Sequence, residues 1–372
     1  MATAMGGAER NRLPAFSADI SRKPRKSSTS PYLANLMRVV KSIDEFKEAL
    51  NYRSEELVQL YDEPVLFDFS QSDRRPFFVS TLLHGNETSG WEAIRSLVSE
   101  ALENEGIPSF LLLLGNLPAA ERNLRHLAGQ PDFNRIWDRG DTPYHQWARE
   151  VLEFVRAKHP WYSLDIHNNT GPNPHHSIIT SLDESTLQSA RLFSQNAIFA
   201  QQPPGVLTRR CAEFSIALTI EAGLPQDPHS TIRALNFIQK LWDRQDIPSI
   251  NFSDLKIFEN SVRVVLENAA ELTSEDVPHF APFLHRFNFK TIPAGTKLAK
   301  LAKPKTRLIA LDEQQQDRTE DYLSYDGSNI LVRQDTIMSM YTEDPLIVRQ
   351  DCVCYFLNTL DAESITNSRL AV

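Results

Sequence analysis

Phe110-Leu111-Leu112-Leu113-Leu114 is a run of five apolar side chains with no polar residue among them. A strand of that kind has no face to give to water, so it belongs inside a sheet that is covered on both sides. Other short apolar runs lie before and after it: Pro64 to Phe69, Phe77 to Leu83, Tyr162 to Ile166, Ser177 to Ile179 and Phe214 to Ile220. Segments with helical spacing separate them. Ser42 with Glu45 reads as a capping box opening a helix to about Asn51. Ser89 with Glu92 caps a helix running to about Glu105, with Ile94, Leu97, Val98, Ala101 and Leu102 as its apolar stripe. Trp147 to Lys158, Leu187 to Gln195 and Thr231 to Trp242 follow, the last with Ile232, Leu235, Ile238 and Leu241 expected to face inward. Strands alternating with helices predict an α/β fold, a mixed central sheet flanked by helices.

After about Ile250 the pattern changes. Ile257 to Leu266 alternates, and Leu284 to Phe289, Lys297 to Leu301, Ile330 to Val332, Thr336 to Met340 and Val353 to Leu357 also read as strands. Ile292-Pro293-Ala294-Gly295 reads as a turn between two of them. Asp312 to Asp317 is a polar stretch expected to be an exposed loop. The expected organisation is a disordered N-terminal tail over 1–36, an α/β domain over 37–250 and a smaller, mostly β domain over 251–372. The tail carries a basic stretch, Arg22 to Lys26, whose alternative reading is a targeting arm. Met37 is a second candidate start.

The chemistry clusters at the ends of the predicted strands. His84-Gly85-Asn86-Glu87 closes the run that begins at Phe77. A His and a Glu three residues apart can turn toward one divalent metal, and imidazole nitrogen with carboxylate oxygen is a donor set zinc accepts. Alone, H-x-x-E is a weak signal. Further along come Asp132-Phe133-Asn134-Arg135, then Asp165-Ile166-His167-Asn168-Asn169 and Thr219-Ile220-Glu221-Ala222-Gly223.

That ordered series resembles the zinc metallocarboxypeptidase superfamily, and within it the branch holding succinylglutamate desuccinylase and aspartoacylase. The resemblance spans roughly Phe77 to Gly223 in its motifs. It implies that His84, Glu87 and His167 are ligands of one zinc ion, with a coordination position left for water. It implies that Asn134 and Arg135 grip a substrate carboxylate and that Glu221 is the general base. Arg122-Asn123-Leu124-Arg125 also looks like the family, with Arg125 polarising the scissile carbonyl; Arg125 as a solvated helix charge is the competing reading. Arg210 is a weaker candidate for a second substrate carboxylate. Asp165 reads either as a carboxylate behind His167 or as a buried ion-pair partner. The branch carries a C-terminal β domain of the kind expected here. The activity implied is hydrolysis of an amide bond in a small N-acylated amino acid or related carboxylate-bearing compound, with a carboxypeptidase acting on peptide C-termini as the alternative. The loop after His167, which includes His175 and His176, departs from the two named enzymes; both histidines read more readily as pocket-wall or surface residues than as ligands.

Composition narrows the partners. An apolar fraction of 41% suffices for a sizeable core. A formal net charge of −9 gives no general attraction to phosphate backbones, so nucleic acid is not an expected partner. No apolar run is long enough to span a bilayer, and the first residues lack a secretory pattern. Cys211, Cys352 and Cys354 are too few for a disulfide framework and suit a reducing compartment, hence an expected cytoplasmic protein. Cys352 and Cys354 read as small buried residues of one strand face. A homo-oligomer is compatible with the sequence.

Overall fold

The computed structural model describes residues 37–360 apart from 105, 170, 202 and 305. The expectations for the N-terminal tail therefore lie outside the described residues. The strands are β1 (Arg38–Val40), β2 (Val65–Phe69), β3 (Phe77–Thr81), β4 (Phe110–Leu114), β5 (Tyr162–His167), β6 (His176–Ile179), β7 (Asn196–Phe199), β8 (Ile216–Glu221) and β9 (Lys256–Leu266). They continue with β10 (His279–Phe280), β11 (Lys290–Ile292), β12 (Lys297–Lys300), β13 (Leu308–Leu311), β14 (Leu323–Asp326), β15 (Asn329–Val332), β16 (Thr336–Ser339) and β17 (Cys354–Leu360). The helices are α1 (Ile43–Ala49), α2 (Ser89–Asn104), α3 (Leu117–Glu121), α4 (Pro143–Ala157), α5 (Glu184–Phe193), α6 (Leu207–Cys211), α7 (Pro228–Leu241), α8 (Thr319–Tyr322) and α9 (Pro345–Gln350).

One mixed sheet runs β1-β2-β4-β3-β5-β8-β6-β7-β9-β17-β16-β11, with β13 also on β9. The apolar run Phe110–Leu114 lies between β2 and β3 and is fully buried, as a two-faced strand must be. One face of the sheet packs on α2, α5 and α7 through Ile94, Val98, Ile166, Leu187, Ile220 and Phe237. The other packs on α4 and α6 through Phe78, Leu111, Val151, Leu207 and Ala217. Each of the larger buried side chains among these contributes about 1.5–3 kcal/mol by leaving water.

The β-rich C-terminal part is bonded into the same sheet. β9 pairs with β7 on one side and with β17 and β13 on the other. A second sheet, β10-β12-β15-β14, covers its own apolar cluster, which includes Leu298, Ile330, Val332, Met338 and Phe356.

Two expectations need correction. α7 does not turn Ile232 inward: that side chain is 48% exposed. The buried face is Ser230, Ala234, Phe237, Ile238 and Leu241, because two small residues let the helix sit close to the sheet. Leu284 to Phe289 is not a strand. Leu284–Phe287 forms a 3-10 turn, bracketed by left-handed backbone at Phe283 (φ 62°) and Phe289 (φ 58°). Several helices also begin a turn earlier than the apolar pattern indicates. Thr142 caps α4 through the His145 N–H, Asp183 caps α5 through Thr186, and Asp227 caps α7 through His229.

Candidate active site

β3 ends at Thr81, and the chain then turns through Leu82 in the left-handed region (φ 57°) to present His84 and Glu87. Gly85 permits this turn: a Cβ there would lie 2.2 Å from the Ala120 backbone nitrogen in α3. β5 delivers His167 at its last residue, directly beside Glu221 at the end of β8 in parallel register. Gly223, at φ 119°, then carries the chain away. These ends lie where open α/β sheets place their ligand sites.

His84, Glu87 and His167 are all buried, and their donor atoms lie within 4.8 Å of one another. Glu87 Oε1 is 2.9 Å from His84 Nδ1, and Oε2 is 2.7 Å from His167 Nδ1. The two Nδ1 atoms are 3.2 Å apart. Behind each ring stands a carboxylate. His84 Nε2 is 2.9 Å from Asp132 Oδ1, and His167 Nε2 is 2.8 Å from Asp165 Oδ2. A carboxylate accepts, so each Nε2–H donates outward, and each Nδ1, once it carries no proton, turns its lone pair toward the other and Glu87. In that state the three groups form a converging set of acceptors that fits a cation. Two imidazoles and a carboxylate are a donor set for zinc with a position left open. Carboxylates behind the ligating rings are the usual means of fixing their orientation. Burial opposes ionisation of Glu87, but the two histidines beside it outweigh burial and hold its carboxyl below the usual range.

Glu221 is buried, and its Oε2 has no hydrogen-bond partner among the described residues. Burial first, and the neighbouring Glu87 charge second, push its carboxyl up to about 7. A carboxyl so placed can take and return a proton near neutral pH.

The remaining expected residues divide. Arg125 comes into the site: Nη2 donates to Asp132 Oδ2 at 2.8 Å, and Nη1 is 3.8 Å from Glu87 Oε1. It is therefore not a solvated helix charge. Asn134 stands beside His167, with Nδ2 3.2 Å from His167 Nε2, and its Oδ1 accepts from the Leu207 N–H at 3.0 Å. Arg135 is half-buried; one Nη1 hydrogen bond goes to the Asn134 carbonyl, and its charge is felt at Asp132. Arg210 lies apart, in an ion pair with Glu213 at 2.6 Å, with its side chain 36% exposed. His175 packs on Phe193. His176 stands opposite Glu221 on β6, but its Nδ1–H donates to the Pro174 carbonyl and its ring lies on Phe289. Neither histidine belongs to the converging set.

Three residues carry roles that sequence reading did not assign. Asp132 joins His84 to Arg125 and also accepts the Asn134 N–H at 2.7 Å. Its position in the D-x-N-R motif was its only signal. Asn168 ties the start of α2 to the turn after β8, bonding Ser89 and the Gly223 carbonyl. Asp351, far along the chain, comes within 3.8 Å of Arg125 and carried no local signal.

The fold is that of the zinc carboxypeptidase-like α/β branch, a large mixed sheet flanked by helices with a smaller C-terminal β region. Residues 75–241 match the model of the succinylglutamate desuccinylase/aspartoacylase catalytic domain, and this segment belongs to that family. Among solved structures the chain is similar to the succinylglutamate desuccinylase of Vibrio cholerae, at 15% identity and TM-score 0.53, over 78% of this chain and 83% of that one. It is similar to a succinylglutamate desuccinylase/aspartoacylase from Rhodobacter sphaeroides, at 14% identity and TM-score 0.50, over 77% and 86%. It is also similar to a mutant of murine aminoacylase 3, at 16% and 0.50, over 77% and 96%. At these identities the structural likeness speaks for the fold. No curated protein matches the sequence. No helix among the described residues is long and apolar enough to cross a membrane. The three cysteines are free and buried, and burial pushes their thiols up, which leaves them unreactive.

Proposed function

We propose that the chain is a zinc-dependent hydrolase that cleaves the amide bond of a small N-acylated amino acid or a related carboxylate-bearing compound. The observation that carries this reading is the convergence of His84, Glu87 and His167 with Glu221, a buried carboxylate whose Oε2 has no partner, one strand away. The family of the segment 75–241 supports the same substrate class.

His84, Glu87 and His167 would hold the ion, which when bound supplies Lewis acidity to a water and to the scissile carbonyl. Asp132 and Asp165 keep the two imidazole rings oriented. Arg135 anchors the substrate carboxylate through the donors left free by its bond to Asn134; a planar guanidinium fork suits that task. Glu221 accepts a proton from the attacking water and passes it to the departing amine nitrogen. Arg125, held by Asp132 close to Glu87, places positive charge where the carbonyl oxygen gains negative charge.

A panel of small N-acyl amino acids set against N-blocked dipeptides tests the reading. Turnover of the acyl amino acids with little action on the dipeptides supports it. Preference for the dipeptides points instead to a carboxypeptidase.

A further inference from the structure

Between the catalytic half and the C-terminal strands lies a half-open cavity of about 80 Å³. A water needs roughly 10–15 Å³, so the space takes a small polar group. Pro203 and Pro204 form part of one wall, in a loop whose Gly205 carbonyl accepts the Trp137 N–H, two residues after Arg135. Arg263 on β9 and Tyr355 on β17 form another wall, standing directly opposite each other in antiparallel register.

The charges of this cavity are only partly satisfied among the described residues. Arg263 Nε is buried with no hydrogen-bond partner among the described residues. Its nearest carboxylate, Asp351, is 3.7 Å away and stands 3.8 Å from Arg125 as well. Two acids also line the space. Asp312 is consumed by its own turn, accepting the N–H groups of Gln314 and Gln316 and lying 3.9 Å from Arg318. Glu313 has no such bond among the described residues; burial and the nearby Glu259 raise its carboxyl, and Arg209 offsets them in part. The cavity thus offers one under-bonded guanidinium and one under-bonded carboxylate. A lone anion would meet Glu313, and a lone cation would meet Arg263. A group carrying both signs complements both.

We propose that this cavity is a subsite for an amino-acid head group, with its carboxylate on Arg263 and its ammonium on Glu313. That chemistry has two sources: a free amino acid, or the far end of a substrate whose acyl part is itself an amino acid. The second source rests on the hydrolase reading above; the first does not.

Calorimetry on the full chain tests the binding itself, with L-alanine, acetate and methylammonium as probes. L-alanine binds saturably, and the two single-charge probes bind far more weakly. Arg263→Met and Glu313→Gln each weaken L-alanine by about tenfold or more, the scale of a charge-assisted hydrogen bond, and Arg263→Lys recovers part of the loss. Thermal unfolding of each variant separates lost binding from lost fold. In a kinetic arm, a γ-glutamyl amide of an amino acid is compared with its glutaryl counterpart, which lacks the ammonium. A higher kcat/KM for the γ-glutamyl compound, with the ratio collapsing in Glu313→Gln, assigns the head group to the substrate. L-alanine binding with no such ratio assigns a free amino acid. The proposal is overturned if neither L-alanine binding nor the kinetic ratio responds to Arg263 and Glu313. Absence of turnover on any amide, with L-alanine binding intact, defeats the hydrolase reading alone.

Discussion

His167 and Glu221 face each other across β5 and β8 in parallel register, so one side chain of the converging set and the unpartnered carboxylate leave the same face of the sheet. Backbone hydrogen bonds of two buried strands fix their spacing. Sites built on such elements hold their geometry better than sites on loops.

Loading the site with zinc should release protons. Burial disfavours a proton on His167, but Asp165 and Glu87 outweigh it and hold the ring's affinity for protons well above the ordinary histidine value. The unloaded ring therefore holds a proton more tightly than an ordinary histidine, and an ion must displace it. Apparent zinc affinity should rise with pH by up to about tenfold per unit for each proton released, until the ring's own titration is passed. Titration calorimetry in buffers of different ionisation heat measures the protons released. A heat independent of buffer would contradict this.

The carboxylates behind the ligands should matter for affinity. Asp132→Asn and Asp165→Asn are each expected to weaken zinc binding by about 10–100-fold, measured by competition with a chelator. Asp132→Asn also removes the charge of the carboxylate that accepts two hydrogen bonds from Arg125, so its effect on kcat should exceed that of Asp165→Asn at saturating zinc.

Asp68 offers a test away from the site. Burial opposes its ionisation, yet Lys158 at 2.8 Å and two bonds from Ser70 hold its carboxyl below the usual range. The native state therefore binds this proton less readily than the unfolded chain. The stabilisation is present above about pH 3.9 and is lost as pH falls through the lower folded value. Asp68→Asn should cost about 1–3 kcal/mol at pH 7 by denaturant unfolding, with the difference shrinking in acid. A cost that does not change with pH would rule out the ionised pair as its source.

The rotated face of α7 is testable by packing. Ile232→Ala on the exposed side should change stability by no more than about 0.5 kcal/mol. Phe237→Ala, fully buried against Phe193, should cost about 3–5 kcal/mol. The reverse order would restore the inward Ile232.

The legible parts of the sequence were those whose chemistry is local. Phe110–Leu114 has no polar side, so its place in the sheet follows from its residues alone. His84, Glu87 and His167 stand at strand ends in an order that implied one site. What was missed depends on tertiary placement. Apolar residues at Ile232, Leu235 and Ile238 indicate one face of α7, but Ser230 and Ala234 are small enough to pack inward, and apolar spacing does not count them. Phe283 and Phe289 adopt left-handed backbone that aromatic residues seldom show, so Leu284 to Phe289 read as a strand. Asp351 reaches Arg125 through the return of β17 alongside β9, a pairing that no short window of sequence contains.

The most direct measurement pairs zinc content with turnover in Glu221→Gln. Elemental analysis of the purified variant should find about one zinc per chain, as in the unaltered protein, while amide hydrolysis falls by about 10²–10⁴-fold. Full turnover in the variant, or zinc lost together with turnover, would contradict a metal-ligand set and a separate proton carrier meeting at the end of β8.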